Sequence, residues 1–182
     1  TGKKENKFGV NKNTFYEIIS YCKNSKNIDL KCLSVHIGSQ ILSNVPYKKM
    51  ISVVNSFLEK VSVKFEYVDF GGGMGIDYGS KKKTFDFKKL ALEINKFSKK
   101  NECKIILEPG RSIIGDTAVL ISKVIYIKEN LNKDFIILDA GMNDLIRPAL
   151  YNAKHMIIPA NKLRKKSKKE YDFVGPICET SD

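Results

Sequence analysis

Three short segments of the sequence combine residue types that could hold a phosphorylated ring cofactor. Gly71-Gly72-Gly73 removes the side chains from three successive backbone amides, so their N–H groups could converge on an oxyanion such as a phosphate. Glu108-Pro109-Gly110-Arg111 places a carboxylate and a guanidinium on either side of a rigid turn. His36 adds a flat ring. Pyridoxal phosphate needs an anion cradle, a flat neighbour for its ring and a charge partner for its ring nitrogen, and these segments supply all three.

Each of these segments has a simpler interpretation when it is taken alone. The glycine triplet could be a tight turn that needs positive φ angles. Glu108 could form an ion pair with Arg111 inside its own loop. His36 ends a mostly apolar stretch and could be a hydrogen-bonded histidine of the core. Only the combination of the three segments favours the cofactor.

The periodicity of apolar residues predicts three helices around these segments. Thr14-x-x-Glu17 has the form of a capping box and predicts the start of the first helix. Pro46 is expected to open the second helix, because proline is favoured at the first helical position. A third apolar stripe at helical spacing begins at Phe87.

Short apolar stretches between these helices indicate strands at residues 30–37, 65–70 and 104–107. The alternation predicts an α/β fold with parallel strands, either a (β/α)8 barrel or an open doubly wound sheet. Each chemical segment follows the carboxyl end of a strand, where barrel enzymes gather their active-site groups. A dinucleotide site in an open sheet would need G-x-G-x-x-G, but Ile76 stands at its last position. We therefore predict part of a TIM-like, pyridoxal-phosphate-binding barrel over residues 1–115.

A different pattern follows residue 115. Residues 119–127 and 135–139 are rich in β-branched and aromatic side chains, with no comparable amphipathic helix between them. We predict part of a β-rich C-terminal domain over residues 116–182. Six of the ten residues from Asn161 to Glu170 are lysine or arginine, which is typical of a solvated loop.

The strongly basic composition does not indicate a nucleic-acid binder. The net charge is +12, but 29 of the 32 basic residues are lysine and only three are arginine. Because arginine is the preferred residue for bidentate phosphate and base contacts, we expect no nucleic-acid partner. No apolar run approaches the roughly 18 residues that span a bilayer, and the start of the sequence lacks a signal-peptide pattern. We expect a cytoplasmic protein with no membrane partner.

Cysteine and histidine usage argues against disulfides and metal sites. The four cysteines show no C-x-x-C pairing, and Cys22, Cys32 and Cys103 lie among apolar neighbours, as small core residues do. Taken alone, Cys178 would also be interpreted as a small buried residue. The two histidines are far apart in the sequence and no second ligand stands at metal spacing, so we expect no metal.

Five segments occur in an order that resembles one enzyme family. They are His36–Gln40, Asp69–Gly73, Glu108–Ser112, Asp139–Tyr151 and Gly175–Asp182. The sequence resembles the diaminopimelate decarboxylases, which are alanine-racemase-like, fold-type III pyridoxal-phosphate enzymes, from Gly2 to Asp182. The resemblance implies pyridoxal 5'-phosphate as the cofactor and meso-2,6-diaminopimelate as the substrate, with L-lysine and carbon dioxide as the products.

The resemblance also implies roles for individual residues. Cofactor contacts are expected from His36, which would stack on the ring, and from Ser39, Gly71, Gly72, Gly73, Glu108, Gly110 and Arg111. Substrate contacts are expected from Arg111, Arg147, Tyr151 and Glu179. Cys178 and His36 are the expected catalytic residues, with Cys178 returning the proton that replaces the departed carboxyl group. In this family Cys178 and Glu179 reach the neighbouring subunit's site, which implies a homodimer with shared active sites.

Two features of the family are not matched. Its cofactor-bearing lysine lies upstream of Lys7-Phe8-Gly9, and no lysine here fits that motif; a tyrosine near its C-terminus is also absent. We interpret the sequence as an internal fragment that is inactive by itself. Two alternatives stay open, a decarboxylase of ornithine or arginine and a non-catalytic homologue that regulates an active partner. The first would leave Arg147 without a distal carboxylate to hold.

Overall fold

The structure is a computed structural model that describes residues 7–78, 85–161 and 169–182. The chain divides into two units, residues 1–118 and residues 119–182. Most of the basic segment predicted to be a solvated loop, residues 162–168, lies outside the described residues. Within the described residues, no helix is both long and apolar enough to cross a membrane.

The first unit is built from alternating helices and parallel strands. Its sheet has the order β1 (Cys32–Ser34), β2 (Tyr67–Asp69) and β3 (Lys104–Ile106), and both pairings are parallel. The helices α1 (Lys12–Asn24), α2 (Asn44–Leu58) and α3 (Phe87–Asn101) precede the three strands in turn. Since parallel neighbours need a crossover, each helix connects or leads into one strand of the sheet. The predicted strands exist but are shorter than the apolar stretches that indicated them.

The core of the first unit lies between the sheet and the helices. Tyr47, Val68 and Phe70 have the largest fully buried side chains among the described residues. The rings of Phe70 and Phe97 meet edge to face, with 5.0 Å between their centroids. Phe87, predicted to lie on the apolar stripe of α3, is half exposed because it is the first residue of the helix. Burial of these apolar side chains holds α2 and α3 against the sheet.

Two predicted helix starts are wrong in detail. The side chain of Asn11 accepts the N–H of Thr14 at 3.0 Å, so Asn11 caps α1 and Thr14 lies within its first turn. Ser43 caps α2, which makes Pro46 its third residue. Proline is accommodated there because the first-turn N–H groups have no partner within the helix.

The second unit contains a three-stranded mixed sheet. β4 (Val124–Lys128) pairs antiparallel with β5 (Phe135–Leu138), which pairs parallel with β6 (Asp172–Val174). Residues 119–123, predicted as strand, are not strand. At the end of this stretch the Asp139 carboxylate accepts the N–H of Lys123 at 2.8 Å. That side chain occupies a donor that a strand ladder would have used.

Candidate cofactor site

The segments that follow β1, β2 and β3 lie against one another at the carboxyl edge of the sheet. A Cβ built on Gly71 would lie 2.8 Å from Nδ1 of His36, and a Cβ built on Gly72 would lie 2.0 Å from the carbonyl oxygen of Glu108. No side chain fits at those distances. The structure therefore brings His36, the glycine triplet and the Glu108 backbone together, and this close approach requires glycine.

The glycine triplet offers two free backbone donors. The Gly71 N–H donates to Oδ1 of Asp69 at 2.8 Å, so the prediction that all three amides could converge on an anion is wrong for Gly71. Its carbonyl accepts the Glu108 N–H at 2.9 Å. Within the described residues, the N–H groups of Gly72 and Gly73 donate to no acceptor. Gly71 and Gly73 also have positive φ angles of 64° and 94°, so the triplet is a tight turn as well.

Two buried residues that the sequence analysis assigned no role hold the glycine triplet in place. Asp69 is buried, and its second carboxylate oxygen accepts the hydroxyl of Ser34 at 3.1 Å. Tyr47 reaches across from α2 and donates its hydroxyl to the Gly72 carbonyl at 2.7 Å. Burial raises the pKa of Tyr47 to about 12. An Asp two residues before a glycine is a turn signal that could have been noticed. Tyr47 carries no such local signal, because its partner is 25 residues away.

The segment after β1 runs beside the glycine triplet. The Ile41 N–H donates to the Gly73 carbonyl at 2.9 Å, and a Cβ on Gly73 would lie 2.1 Å from the Gly38 carbonyl oxygen. His36 and Ser39 are both exposed on this segment. His36 forms no hydrogen bond with any described residue, so the interpretation as a hydrogen-bonded core histidine is wrong. Its ring is available to pack against a ligand.

The segment after β3 does not contain the ion pair considered from the sequence. NH1 of Arg111 donates to Oε1 of Gln40 at 2.8 Å, and the exposed Glu108 carboxylate pairs with no described residue. Gly110 immediately precedes the short helix α4 (Arg111–Ile114), and a Cβ added to Gly110 would meet no atom within 4 Å. The Ser112 hydroxyl is buried and has no hydrogen-bond partner among the described residues.

These features fit pyridoxal phosphate. The free amides of Gly72 and Gly73 are donors for a phosphate, at a turn that has no room for side chains. The exposed ring of His36 offers a flat neighbour, and the unpaired Glu108 carboxylate offers a partner for a protonated ring nitrogen. The buried Ser112 hydroxyl is a further donor that the described residues leave unused.

The substrate residues predicted in the second unit lie on one helix and one loop. Arg147 and Tyr151 are the first and last residues of α5 (Arg147–Tyr151), four positions apart on one face. NH1 of Arg147 lies 3.5 Å from Nε2 of His155. Cys178 and Glu179 are exposed in the loop after β6, so the interpretation of Cys178 as a small buried residue is wrong.

The carboxylate of Asp182 fixes the loop that carries Cys178. It accepts the N–H of Ile177 at 2.7 Å and the N–H of Met142. A Cβ on Gly175 would lie 2.3 Å from Oδ2 of Asp182, so the carboxylate also fills the space beside that glycine. Asp182 stands in a segment quoted for the family resemblance, but nothing in the sequence indicated this bridging contact.

A family model for the pyridoxal-dependent decarboxylase, pyridoxal binding domain, matches residues 1–115. The chain belongs to the pyridoxal-dependent decarboxylases. The match covers the unit in which the three segments meet, and it confirms the fold-type III resemblance and the pyridoxal phosphate cofactor that the motifs indicated.

Relatives of this decarboxylase chain include curated and solved proteins. The diaminopimelate decarboxylase of Aquifex aeolicus (strain VF5) is 42% identical over the whole chain, which spans 44% of that protein. The crystal structure of diaminopimelate decarboxylase from Helicobacter pylori complexed with L-lysine is 37% identical with a TM-score of 0.85, covering all of this chain and 45% of that one. The chain therefore spans less than half the length of these relatives.

A more distant structure shares the fold alone. The lysine/ornithine decarboxylase from Vibrio vulnificus complexed with cadaverine is 23% identical with a TM-score of 0.79, covering 98% of this chain and 50% of that one. Together the matches confirm the predicted α/β class, with part of a TIM-like barrel followed by a β-rich part.

Proposed function

We propose that the enzyme to which this chain contributes converts meso-2,6-diaminopimelate to L-lysine and carbon dioxide, the last step of lysine biosynthesis, with pyridoxal phosphate as its cofactor. The observation that carries the proposal is the meeting of His36, the glycine triplet and Glu108 at one edge of the sheet. The two named diaminopimelate decarboxylases, at 42% and 37% identity, support the choice of substrate.

The first unit holds the cofactor. The N–H groups of Gly72 and Gly73, with the Ser39 hydroxyl, bind the phosphate, and His36 stacks on the ring. Glu108 keeps the ring nitrogen protonated by facing it with a carboxylate. When bound, the cofactor supplies the electron sink that makes loss of a carboxyl group from an amino acid possible. Gly110 and Arg111 complete the contacts from the segment after β3.

Two arginines, a tyrosine and a glutamate hold the end of the substrate that does not react. Arg111, Arg147 and Tyr151 bind its distal carboxylate, and Glu179 binds its distal ammonium group. Each charge-assisted hydrogen bond of this kind contributes about 1.5 to 3 kcal/mol. The planar guanidinium of arginine binds a carboxylate better than the ammonium group of a lysine side chain does. A diamine-forming enzyme would have no such carboxylate for Arg147 to bind.

The thiol of Cys178 donates a proton to the carbon that the carboxyl group has left. Its exposure on the loop after β6 supports this role, because a proton donor must reach the substrate. We infer that Cys178 and Glu179 serve the active site of a second subunit, which makes the enzyme a homodimer with shared sites. All four cysteines are free thiols, which fits a reducing cytoplasm.

Substrate choice is tested with the full-length enzyme. It is incubated separately with meso-diaminopimelate, ornithine and arginine, and released carbon dioxide and the amine products are measured. We expect lysine from diaminopimelate only. Release from ornithine or arginine without release from diaminopimelate would replace the proposed substrate, and no release from any of them would favour a non-catalytic regulator.

The role of Cys178 is tested by Cys178→Ala, with Cys22→Ala as the matched control. Cys22 is a half-buried thiol on α1. We expect Cys178→Ala to slow product formation while the absorbance of bound cofactor is retained, and Cys22→Ala to leave turnover unchanged. Unchanged product formation by Cys178→Ala would remove the proton-donor role.

A further inference from the structure

The side chain of Gln40 links the three segments of the candidate cofactor site. It is the single glutamine of the sequence. Its Oε1 accepts from NH1 of Arg111 at 2.8 Å, and its Nε2 donates to the carbonyl oxygen of Ile76 at 2.7 Å. A guanidinium only donates and a carbonyl only accepts, so these two partners fix which end of the amide faces which segment.

The backbone around Gln40 is held as firmly as its side chain. Gln40 has a φ of 60°, in the left-handed region that a residue with a Cβ rarely adopts. The next residue, Ile41, donates to the Gly73 carbonyl at 2.9 Å and accepts the Gly75 N–H at 3.0 Å. These bonds hold the backbone next to Gln40 beside the glycine triplet, so the position from which the Gln40 side chain contacts Arg111 is fixed.

We propose that Gln40 is a positioning residue that aims the Arg111 guanidinium while leaving its charge available to an oxyanion of the ligand. This oxyanion is a phosphate or a carboxylate, and it belongs to the cofactor or to the substrate. An amide occupies one of the five N–H donors of the guanidinium without neutralising it. The proposal deepens the proposed function, on which the identity of the ligand rests.

The surroundings of Arg111 agree with this role. Among the described residues Arg111 makes no ion pair, although Glu108 is only three positions before it in the sequence. Arg111 is half-buried, so its charge acts through a medium less polar than bulk water and attracts an anion more strongly than an exposed lysine would. A carboxylate at position 40 would pair with the guanidinium and compete with the ligand.

The test compares Gln40→Glu with Gln40→Ala in the full-length protein, with Asn24→Asp as the control for an amide-to-acid change. Asn24 is exposed at the end of α1 and donates one hydrogen bond, to Ser20. Apoprotein is titrated with pyridoxal phosphate and with pyridoxal, which lacks the phosphate, by following cofactor absorbance. KM and kcat for meso-diaminopimelate are then measured across pH.

We expect Gln40→Glu to weaken binding of the oxyanion by roughly tenfold or more, since it neutralises a charge-assisted contact. Gln40→Ala should weaken it less, because Arg111 loses its support but keeps its charge. If the ligand group is the phosphate, the dissociation constant changes for pyridoxal phosphate and not for pyridoxal. If it is a carboxylate, KM rises with kcat nearly unchanged. In either case the penalty of Gln40→Glu shrinks as the introduced carboxyl group is protonated at lower pH.

A merely structural role predicts that Gln40→Ala is at least as damaging as Gln40→Glu, because both variants lose the bond to the Ile76 carbonyl and only glutamate keeps an acceptor for Arg111. The proposal is overturned if Gln40→Ala is as damaging as Gln40→Glu, or if neither variant changes an oxyanion-dependent constant. Should Gln40→Glu fail to fold, the penalty of Gln40→Ala is measured in an Arg111→Met background. There it should vanish, and a persisting penalty overturns the proposal. The cofactor titrations need no turnover, so failure of the proposed function is distinguished from failure of this one.

Discussion

Gly72→Ala tests whether the site depends on the close approach of the loops after β2 and β3. The new Cβ would lie 2.0 Å from the Glu108 carbonyl oxygen, whereas a comfortable carbon–oxygen contact is about 3.3 Å or more. The Glu108 backbone must therefore retreat by roughly 1 Å. Gly72 does not have a positive φ, so the effect is steric rather than conformational.

The expected magnitude follows from two costs. Overpacking a well-packed position costs about 1 to 3 kcal/mol. The retreat of Glu108 also stretches its hydrogen bond to the Gly71 carbonyl, which is 2.9 Å long, and losing it costs about 0.5 to 1.5 kcal/mol. We expect Gly72→Ala to lower the free energy of unfolding by about 2 to 4 kcal/mol and to weaken pyridoxal phosphate binding more than tenfold.

Gly110→Ala is the matched control, because a Cβ there meets no atom within 4 Å and its φ is −100°. It should change stability by less than about 1 kcal/mol and can even stabilise, since alanine has fewer unfolded conformations. Both variants are compared by denaturant unfolding of the full-length apoprotein, and Gly72→Ala is also titrated with the cofactor, because Gly110 is itself a proposed cofactor contact. If Gly72→Ala matches the wild type in both assays, or if Gly110→Ala is equally destabilising, the loops are not packed as described and the reasoning is refuted.

Further substitutions address three residues that support the candidate site and the Cys178 loop. Burial raises the pKa of Tyr47 from 10.0 to about 12, so the neutral phenol contributes stability that is complete below pH 10 and is lost as the pH rises toward 12. Tyr47→Phe should abolish this alkaline loss in unfolding curves recorded from pH 8 to 12, and should cost about 1 to 3 kcal/mol at pH 8 by leaving the Gly72 carbonyl without its partner. Asp69→Ala should lower the free energy of unfolding by a similar amount, because the Gly71 N–H loses its acceptor. Asp69→Asn keeps an acceptor and should keep most of the stability. Equal losses for the two variants in thermal melts would contradict the hydrogen-bond argument. Asp182→Ala should free the loop that it bridges, which faster amide hydrogen exchange at residues 175–179 would reveal and unchanged exchange would exclude.

The sequence was sufficient for the order of elements and for the meeting of the main segments. Parallel strands place their carboxyl ends at one edge, so the positions of His36, the glycine triplet and Glu108 after successive strands already implied their proximity. The helix starts were less certain because Asn11 and Thr14 are both good capping residues. At residue 123 the predicted strand is replaced by a bond from the Lys123 N–H to the Asp139 side chain, which lies 16 positions away in the sequence.

The supporting residues of the site were beyond sequence reasoning for a physical reason. The partner of Tyr47 lies 25 positions away in the sequence, and the two partners of Gln40 lie 36 and 71 positions away. The more distant partner of Asp182 lies 40 positions away. Residue type and spacing do not reveal such pairings, whereas a glycine triplet or an E-P-G-R motif can be recognised from adjacent residues alone. Gln40 is an example, because it lies in the His36–Gln40 segment but its residue type and position indicated no role.

The bridge made by Asp182 bears on how this part of the chain could be redesigned. Because one carboxylate ties the backbone at Ile177 to the backbone at Met142, the two stretches behave as a single module rather than as independent loops. Grafting a foreign sequence into either stretch will displace the other. A successful graft has to transplant both stretches with the aspartate that joins them.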